Sequence, residues 1–319
     1  MAAFFVRRIL AAIPVLFMVA IIVFLVLRLS PGDPAVMIAG DNASPEQLAA
    51  IRASMGLDQP LLEQLFMWIG KVLRGDLGTS LISGLPVSDM VLDRFGPTIA
   101  LSLSTIAFAI LVAIPLGVFA AWQQGKPLDR LVMAGSVVGF SVPVFIIGYV
   151  LILVFARLLG WLPVQGYQPL ADGFGGFAER LVLPTVALSF PYIALIARIV
   201  RTSVIEVMGE DYIRTARAKG MSETAVLMKH ALGNAAVPIV TIIGVSIAML
   251  ISGVVVTESV FNIPGLGRLV LEAVLARDYT VIQSLILLFS TLYVLINLGI
   301  DLLYSVFDPR IRYLSLIHI

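Results

Sequence analysis

Side chains that could carry out chemistry are few in this chain of 319 residues, and they lie far apart. The absence of cysteine excludes a disulfide framework, an iron–sulfur site and a catalytic thiol. The two histidines, His230 and His318, are isolated, so neither predicts a metal site or a catalytic triad. Lys71 and Lys126 each follow a glycine, but neither completes the G-x-x-x-x-G-K-[ST] pattern that binds nucleotide phosphates. The sequence therefore predicts a protein that is not an enzyme, hydrolyses no ATP by itself and holds no cofactor or metal.

Two polar side chains lie inside an apolar segment near the C-terminus. Asp301 is the only acidic residue well inside such a segment, and Asn297 precedes it by about one helical turn. A carboxylate in a membrane-length segment is a functional candidate, so Asn297 and Asp301 are candidates for contact with a substrate or ion. The alternative is that Asp301, close to the end of the segment, caps the helix or pairs with an arginine. Glu258, at the end of another apolar segment, is interpreted as an interfacial charge.

The segment 204–233 has an ordered arrangement of charges. Its acidic residues come first and its basic residues follow, as a helix dipole favours: Glu206, Glu210 and Asp211, then Arg214, Arg217 and Lys219. Gly220 stands where a left-handed residue ends a helix, and Ser222 can cap the next helix. Such a helix–glycine–helix unit could be an ordinary loop. Its length and its small and basic residues favour a docking surface for another protein.

The composition is that of a membrane protein. Apolar residues make up 60% of the chain and charged residues 13%, about half the usual charged share. The mean hydropathy is +1.03. A soluble protein of this size could not cover so much apolar surface with so few charges. The net charge of +1 provides no basic field for nucleic acid, so the sequence predicts a polytopic membrane protein without a nucleic-acid partner.

Six apolar segments are long enough to cross a hydrocarbon core of about 30 Å. They lie near residues 9–27, 97–122, 131–156, 182–197, 234–257 and 282–306. The fourth is short, and Arg198 and Arg201 are expected to snorkel from its end. Lys and Arg are denser on the flanks that include both termini, which predicts that both termini are cytoplasmic.

The long segment after the first apolar stretch is predicted to form small helices at the membrane face. Ser44, Pro45 and Gln47 provide an N-cap, a proline at the first helical position and a capping-box partner. Leucine, phenylalanine and isoleucine then recur at helical spacing between residues 61 and 69. A structural cap over the spans is the favoured interpretation, and contact with a delivery partner is the alternative.

The stretch from Tyr212 to Gly220 resembles the EAA loop of the membrane-spanning subunits of bacterial ABC importers. Arg214, Thr215 and Ala216 stand at the E-A-A positions, and Gly220 stands at the glycine. Arginine and threonine at the first two positions depart from the general pattern, in a way that is typical of the dipeptide/oligopeptide permease family.

Other stretches resemble the same family, in its first-subunit type, and they follow in the same order along the chain. They are residues 5–34, 75–80, 257–267 with 276–279, and 308–313. The last six residues, 314–319, do not look like family sequence.

The resemblance implies an all-α polytopic fold of the type I ABC importer class, with an N-terminal helix added to a five-helix core. It divides the chain into residues 1–33, the cytoplasmic N-terminus and first transmembrane helix, and 34–96, an extracytoplasmic helical region. Residues 97–313 then form the permease core, with a cytoplasmic coupling loop at 204–233, and residues 314–319 an atypical tail. The resemblance also implies an ATPase-docking set: Arg214, Thr215, Ala216, Arg217, Ala218, Gly220 and Met221.

The resemblance further implies a set of partners in a bacterial plasma membrane. A second homologous permease subunit would complete the pathway, two cytoplasmic ATPases would bind ATP beneath it, and an extracytoplasmic solute-binding protein would deliver substrate. Membrane lipid would surround the spans. Peptide is the expected substrate, while nickel complexes, oligosaccharides or glutathione remain open within the family. A standalone channel or secondary transporter is the alternative from another class.

Overall fold

The computed structural model describes residues 2–29, 35–36, 44–54 and 56–307. These residues form helices joined by turns and by two longer connections, 74–86 and 159–173. The predicted C-terminal motif 308–313 and the tail 314–319 lie outside the described residues, as do most of residues 30–43. In chain order the longer helices are α1 (Ala2–Leu29), α2 (Pro45–Ser54), α3 (Leu61–Leu73), α4 (Val87–Trp122), α5 (Pro127–Ser141), α6 (Val144–Leu151), α7 (Phe174–Met208), α8 (Asp211–Ala218), α9 (Ala236–Val260), α10 (Leu266–Ala276) and α11 (Tyr279–Phe307).

Among the described residues, five helical stretches are long and apolar enough to cross a membrane. They are Val6–Leu25, Val87–Trp122, Phe174–Met208, Ala236–Val260 and Tyr279–Ile300. Each overlaps one of the predicted spans, so the polytopic helical fold is confirmed. The fourth predicted span is not short in the structure, because its helix α7 runs over 35 residues with Pro184 and Pro191 inside it.

The remaining predicted span, near 131–156, is broken rather than continuous. Helix α5 and the stretch Val144–Leu158 meet at an angle of 103°. The break lies at Val142 and Pro143, where Val142 has extended φ and ψ values of −85° and 124°. Proline disfavours a helical conformation in the residue before it and lacks the N–H that would continue the helix. The second half of this broken span ends in a π-helical stretch, Ile152–Leu158.

Helix α7 is the central element of the bundle. In its most apolar stretch 56% of the residues are buried, whereas in the most apolar stretch of α1 only 11% are buried. Gly117 of α4 allows close packing, because a Cβ at that position would lie 2.6 Å from the carbonyl oxygen of Ala197. Helix α1 lies at the edge, where it contacts α11 and, through Phe24 and Trp68, helix α3.

The helices after α1 begin with the predicted capping box. The backbone N–H of Gln47 donates to Ser44 Oγ at 3.2 Å, and the N–H of Ser44 donates to Gln47 Oε1 at 3.0 Å. Gly56 then takes a left-handed conformation with φ +67°, which lets the chain turn into α3. The prediction of small helices in this region is therefore confirmed for α2 and α3.

Candidate functional site

The candidate docking element is α8, which follows α7 after a two-residue turn at Gly209 and Glu210. Its C-terminus is closed by a pair of backbone hydrogen bonds. The N–H of Met221 donates to the oxygen of Ala216 at 3.3 Å, and the N–H of Gly220 to that of Arg217 at 2.9 Å. This pattern is a Schellman motif, which requires a left-handed residue at the Gly220 position. Gly220 has φ +80°, so the predicted helix stop is confirmed.

The turn after Gly220 is fixed by side chains. Ser222 accepts a hydrogen bond from the Ala225 N–H at 3.3 Å, which confirms its predicted role as an N-cap. The Arg217 guanidinium binds both carboxylate oxygens of Glu223, at 2.8 and 3.1 Å. The helix, the turn and the following segment are therefore joined into one unit.

One face of α8 anchors this unit to the bundle. Ile213 and Ala216 are buried, and with Val226 they form a small apolar cluster that packs against Val207 and Met208 at the end of α7. The π-helical stretch Val226–Ala231 follows, and its residues Leu227 and Ala231 belong to the main core. A displacement of α8 must therefore move both α7 and the segment leading into α9.

The other face of α8 is exposed. Of the seven residues predicted to dock an ATPase, five lie on this surface: Arg214, Thr215, Arg217, Ala218 and Gly220. Met221 is half-buried and Ala216 is buried, so these two belong to the anchoring side.

Tyr212 belongs to the same exposed surface, although the sequence did not single out its side chain. Partial burial of the phenol and the nearby Glu210 carboxylate raise the pKa of Tyr212. The phenol is therefore a neutral hydrogen-bond donor near pH 7.

A buried ion pair lies at the same end of the bundle as α8. Asp129, at the start of α5, is 3% exposed and receives two hydrogen bonds from Arg201 of α7, at 2.5 and 2.8 Å. The N–H of Gly125 donates to the same carboxylate at 2.9 Å. The expectation that Arg201 snorkels from the end of its span is wrong, because its guanidinium pairs with Asp129 and only 22% of its side chain is exposed. Arg198 is exposed. A sequence gives no direct signal for a pair 72 residues apart.

At the opposite end, Glu258 is fully buried, so its interpretation as an interfacial charge is wrong. Its carboxylate accepts from Thr98 Oγ1 at 2.6 Å and from the backbone N–H of Arg268 at 2.9 Å. Thr98 in turn accepts from the N–H of Leu266 at 2.8 Å. Together these two side chains cap the N-terminus of α10, where a negative charge is favoured.

The glycines after Glu258 explain how the carboxylate reaches the helix. A Cβ at Gly265 would lie 2.0 Å from Glu258 Oε1, and a Cβ at Gly267 would lie 2.6 Å from the Cα of Val255. Only a residue without a side chain allows these approaches. The stretch 257–267, noted for its resemblance to a family motif, is therefore a single capping unit.

The same end of the bundle holds a second buried carboxylate. Asp278 is buried between α10 and α11, and Ser80 Oγ donates to it at 2.5 Å. Ser284 Oγ donates to the carbonyl oxygen of Leu77 at 3.1 Å. These bonds bring together the stretches 75–80 and 276–279, and they fix the loop before α4 onto the start of α11.

The second predicted site is described only in part. Asn297 is half-buried, donates to the carbonyl oxygen of Tyr293 at 2.8 Å, and lines a cavity of about 550 Å³ between α1, α9 and α11. The side chain of Asp301 lies outside the described residues. Within the described part of the chain, histidines and acidic residues do not come together in any group of three or more that could hold a metal ion.

Comparison with protein families identifies the chain. Residues 113–313 match the binding-protein-dependent transport system inner membrane component, and residues 1–102 match the N-terminal model of the same system. The chain belongs to this family. The family match spans both α8 and the capping unit at 257–267.

Relatives of this binding-protein-dependent permease match over nearly its whole length. A probable peptide ABC transporter permease of Sinorhizobium fredii is 51% identical over 98% of this chain and 100% of its own length. A putative peptide transport system permease of Brucella abortus and a glutathione transport system permease of Escherichia coli are each 44% identical over the same shares.

A solved structure shows the same fold. The inward-facing MetNI methionine ABC transporter matches with a TM-score of 0.58 and 20% identity, over 69% of this permease and 96% of the solved chain. This likeness confirms the predicted type I importer fold.

Proposed function

We propose that this chain forms half of the translocation pathway of an ATP-driven peptide importer. The observation that carries the proposal is the 44–51% identity, over nearly the whole chain, to relatives named as peptide transport permeases. The helical fold with a separate, exposed α8 supports it. A glutathione permease at 44% identity makes glutathione, itself a small peptide, the second candidate substrate.

We propose α8 as the docking element for a cytoplasmic ATPase. Its exposed face presents Arg214, Thr215 and Ala218, while its buried face is fixed to α7. Closure of two ATPases would push this unit as a rigid body. The Asp129–Arg201 pair would carry the movement from α7 to the broken span that begins with α5.

The remaining partners follow from this proposal. A second, related permease completes the pathway, an extracytoplasmic solute-binding protein delivers the peptide, and ATP is bound by the ATPases rather than by this chain. The distribution of Lys and Arg supports placing α8 and both termini on the cytoplasmic side of a bacterial inner membrane. The names of these relatives do not support nickel complexes or oligosaccharides, the other substrates that the family resemblance left open.

Co-purification and uptake together test the proposal. Tagged protein is isolated in mild detergent from native membranes, and its companions are identified by mass spectrometry. We expect two ATPases and a second permease, and we expect deletion of the gene to abolish ATP-dependent uptake of a labelled tripeptide. Recovery of the chain alone, with uptake that persists without ATP, would instead indicate a standalone transporter.

A further inference from the structure

A polar cavity of about 380 Å³ lies where the end of α1 meets α2 and α3. Its volume is within the range of about 300–1,000 Å³ that is usual for small-molecule sites. The polar side chains that line it include Arg28, Glu63, Gln64 and Lys71. None of them belongs to the docking surface or to the capping units described above.

Two cations line this cavity. The Arg28 guanidinium is half-buried and lies 5.4 Å from the centroid of the Phe24 ring, which in turn packs on Trp68. Lys71, an exposed residue of α3, lines the same cavity. Among the described residues, the ion pairs that the structure contains involve neither Arg28 nor Lys71. Two cations that line one cavity, and that form no ion pair among the described residues, favour the binding of an anion, and phosphate oxygens suit arginine best.

Gln64, in contrast to the two cations, needs a hydrogen-bond donor from whatever fills the cavity. Its Nε2 donates to the carbonyl oxygens of Leu57 at 3.1 Å and Gln59 at 2.8 Å, which fixes the orientation of the amide. Its Oε1 is buried and has no hydrogen-bond partner, and the residue is 7% exposed. A buried acceptor of this kind requires a donor from a ligand or solvent. Glu63 adds a negative charge to the lining of the same cavity.

The residues around the cavity are of the kinds expected at a membrane surface. Arg28 follows the apolar span Val6–Leu25 directly, and Trp68 is of the residue type that collects at the membrane–water interface. Helix α3 also exposes Leu62, Phe66 and Leu73, which share one face at helical spacing. An exposed apolar face beside a membrane span is suited to the interfacial region of the lipid.

We propose that this cavity binds the headgroup of a phospholipid that carries an amine. The phosphate lies against Arg28 and Lys71, and the ammonium group donates to Gln64 Oε1 with Glu63 nearby. A single ligand of this kind satisfies both cations and the unpaired Gln64 Oε1 that line the cavity. This site fixes α1 and the α2–α3 hairpin to the lipid surface, and it does not depend on the substrate of the importer.

Native mass spectrometry tests the proposal with lipids that differ in one feature. The full chain, with the subunits that co-purify with it, is delipidated and titrated with phosphatidylethanolamine or with phosphatidylcholine of the same acyl chains. Phosphatidylcholine carries methyl groups in place of the N–H donors. We expect a roughly three- to tenfold preference for phosphatidylethanolamine in the tightest-bound lipid, because one hydrogen bond is gained.

Variants identify the site. The double variant Arg28→Ala with Lys71→Ala should abolish binding of the tightest-bound lipid, and Lys71→Gln alone should weaken it. The control Arg74→Ala removes an exposed cation outside the cavity and should leave lipid binding unchanged. Gel filtration confirms that each variant is folded. Equal retention of both lipids by the wild type, or unchanged retention in Lys71→Gln, would overturn the proposal. Full competition by free phosphoethanolamine would also overturn it, since the site would then bind a soluble phosphoester.

Discussion

Gly220 has a conformational role at the scale of a single residue. It is exposed, and a Cβ at this position would meet nothing within 4 Å. Its φ of +80° is nevertheless required by the hydrogen bonds that end α8. A substitution therefore acts only through the backbone, and it changes the direction in which the chain leaves α8.

We expect Gly220→Val to reduce coupling without preventing insertion. The left-handed conformation costs a β-branched residue about 1 kcal/mol or more, which lowers the population of the correct turn about fivefold. Substrate-stimulated ATP hydrolysis in proteoliposomes is the measurement. The matched control is Gly233→Ala, a helical glycine in the same segment with open space around it. Equal stimulation of Gly220→Val and wild type would contradict the role of this turn.

The Asp129–Arg201 pair makes a prediction about stability. Asp129→Asn leaves the partly buried Arg201 guanidinium without its counter-charge, which should cost about 1–3 kcal/mol. Replacing both residues by apolar ones, Asp129→Leu with Arg201→Met, should recover most of this loss because no charge remains buried. Thermal unfolding in detergent distinguishes the two variants. If the double variant is as unstable as Asp129→Asn, the loss comes from packing and not from the unpaired charge.

At the scale of elements, the helix α10 depends on the two side chains that cap it. Thr98→Val removes the acceptor for the Leu266 N–H and the donor to Glu258. The expected loss is about 1–3 kcal/mol of unfolding free energy, because two buried polar groups lose a partner. Thr241→Val is the control, since Thr241 Oγ1 only donates to the oxygen of Val237 in its own helix, and it should change stability by less than about 0.5 kcal/mol. Similar losses for the two variants would argue against the cap.

The elements also show what local sequence can and cannot predict. The sequence predicts the roles of Gly220, Ser222 and the Ser44–Gln47 capping box correctly, because each role depends on residues within a few positions. The break at Pro143 lies within a predicted span, but neither its angle nor the length of α7 follows from apolar composition. Hydropathy marks where a chain is apolar, and it carries no information on how helices continue past a proline.

Long-range pairing explains the errors at Arg201 and Glu258. The sequence predicts that each is a charge at the end of a span, where water or headgroups would solvate it. The structure instead pairs Arg201 with Asp129 and places Glu258 on the N-terminus of α10. Both partners are set by the three-dimensional packing of helices distant in sequence. The glycines at 265 and 267 were the only local signal, since they permit the approach of Glu258.

At the scale of the whole molecule, the bundle has two differently built ends. One end carries α8, its anchoring cluster and the Asp129–Arg201 pair. The other carries two buried carboxylates, Glu258 and Asp278, that fix the connecting helices and loops to the spans. We interpret the first end as the part that receives movement from ATPases and the second as a fixed platform for the substrate-delivery partner.

Site-specific cross-linking tests the central claim most directly, and the absence of cysteine makes it practicable. Thr215→Cys, on the exposed face of α8, and Ala216→Cys, on its buried face, are labelled with a maleimide–benzophenone reagent in native membranes and irradiated. We predict an adduct between position 215 and an ATP-binding subunit, and little labelling or adduct at position 216. An efficiently labelled Thr215→Cys variant that gives no adduct with an ATPase would contradict the docking role of α8.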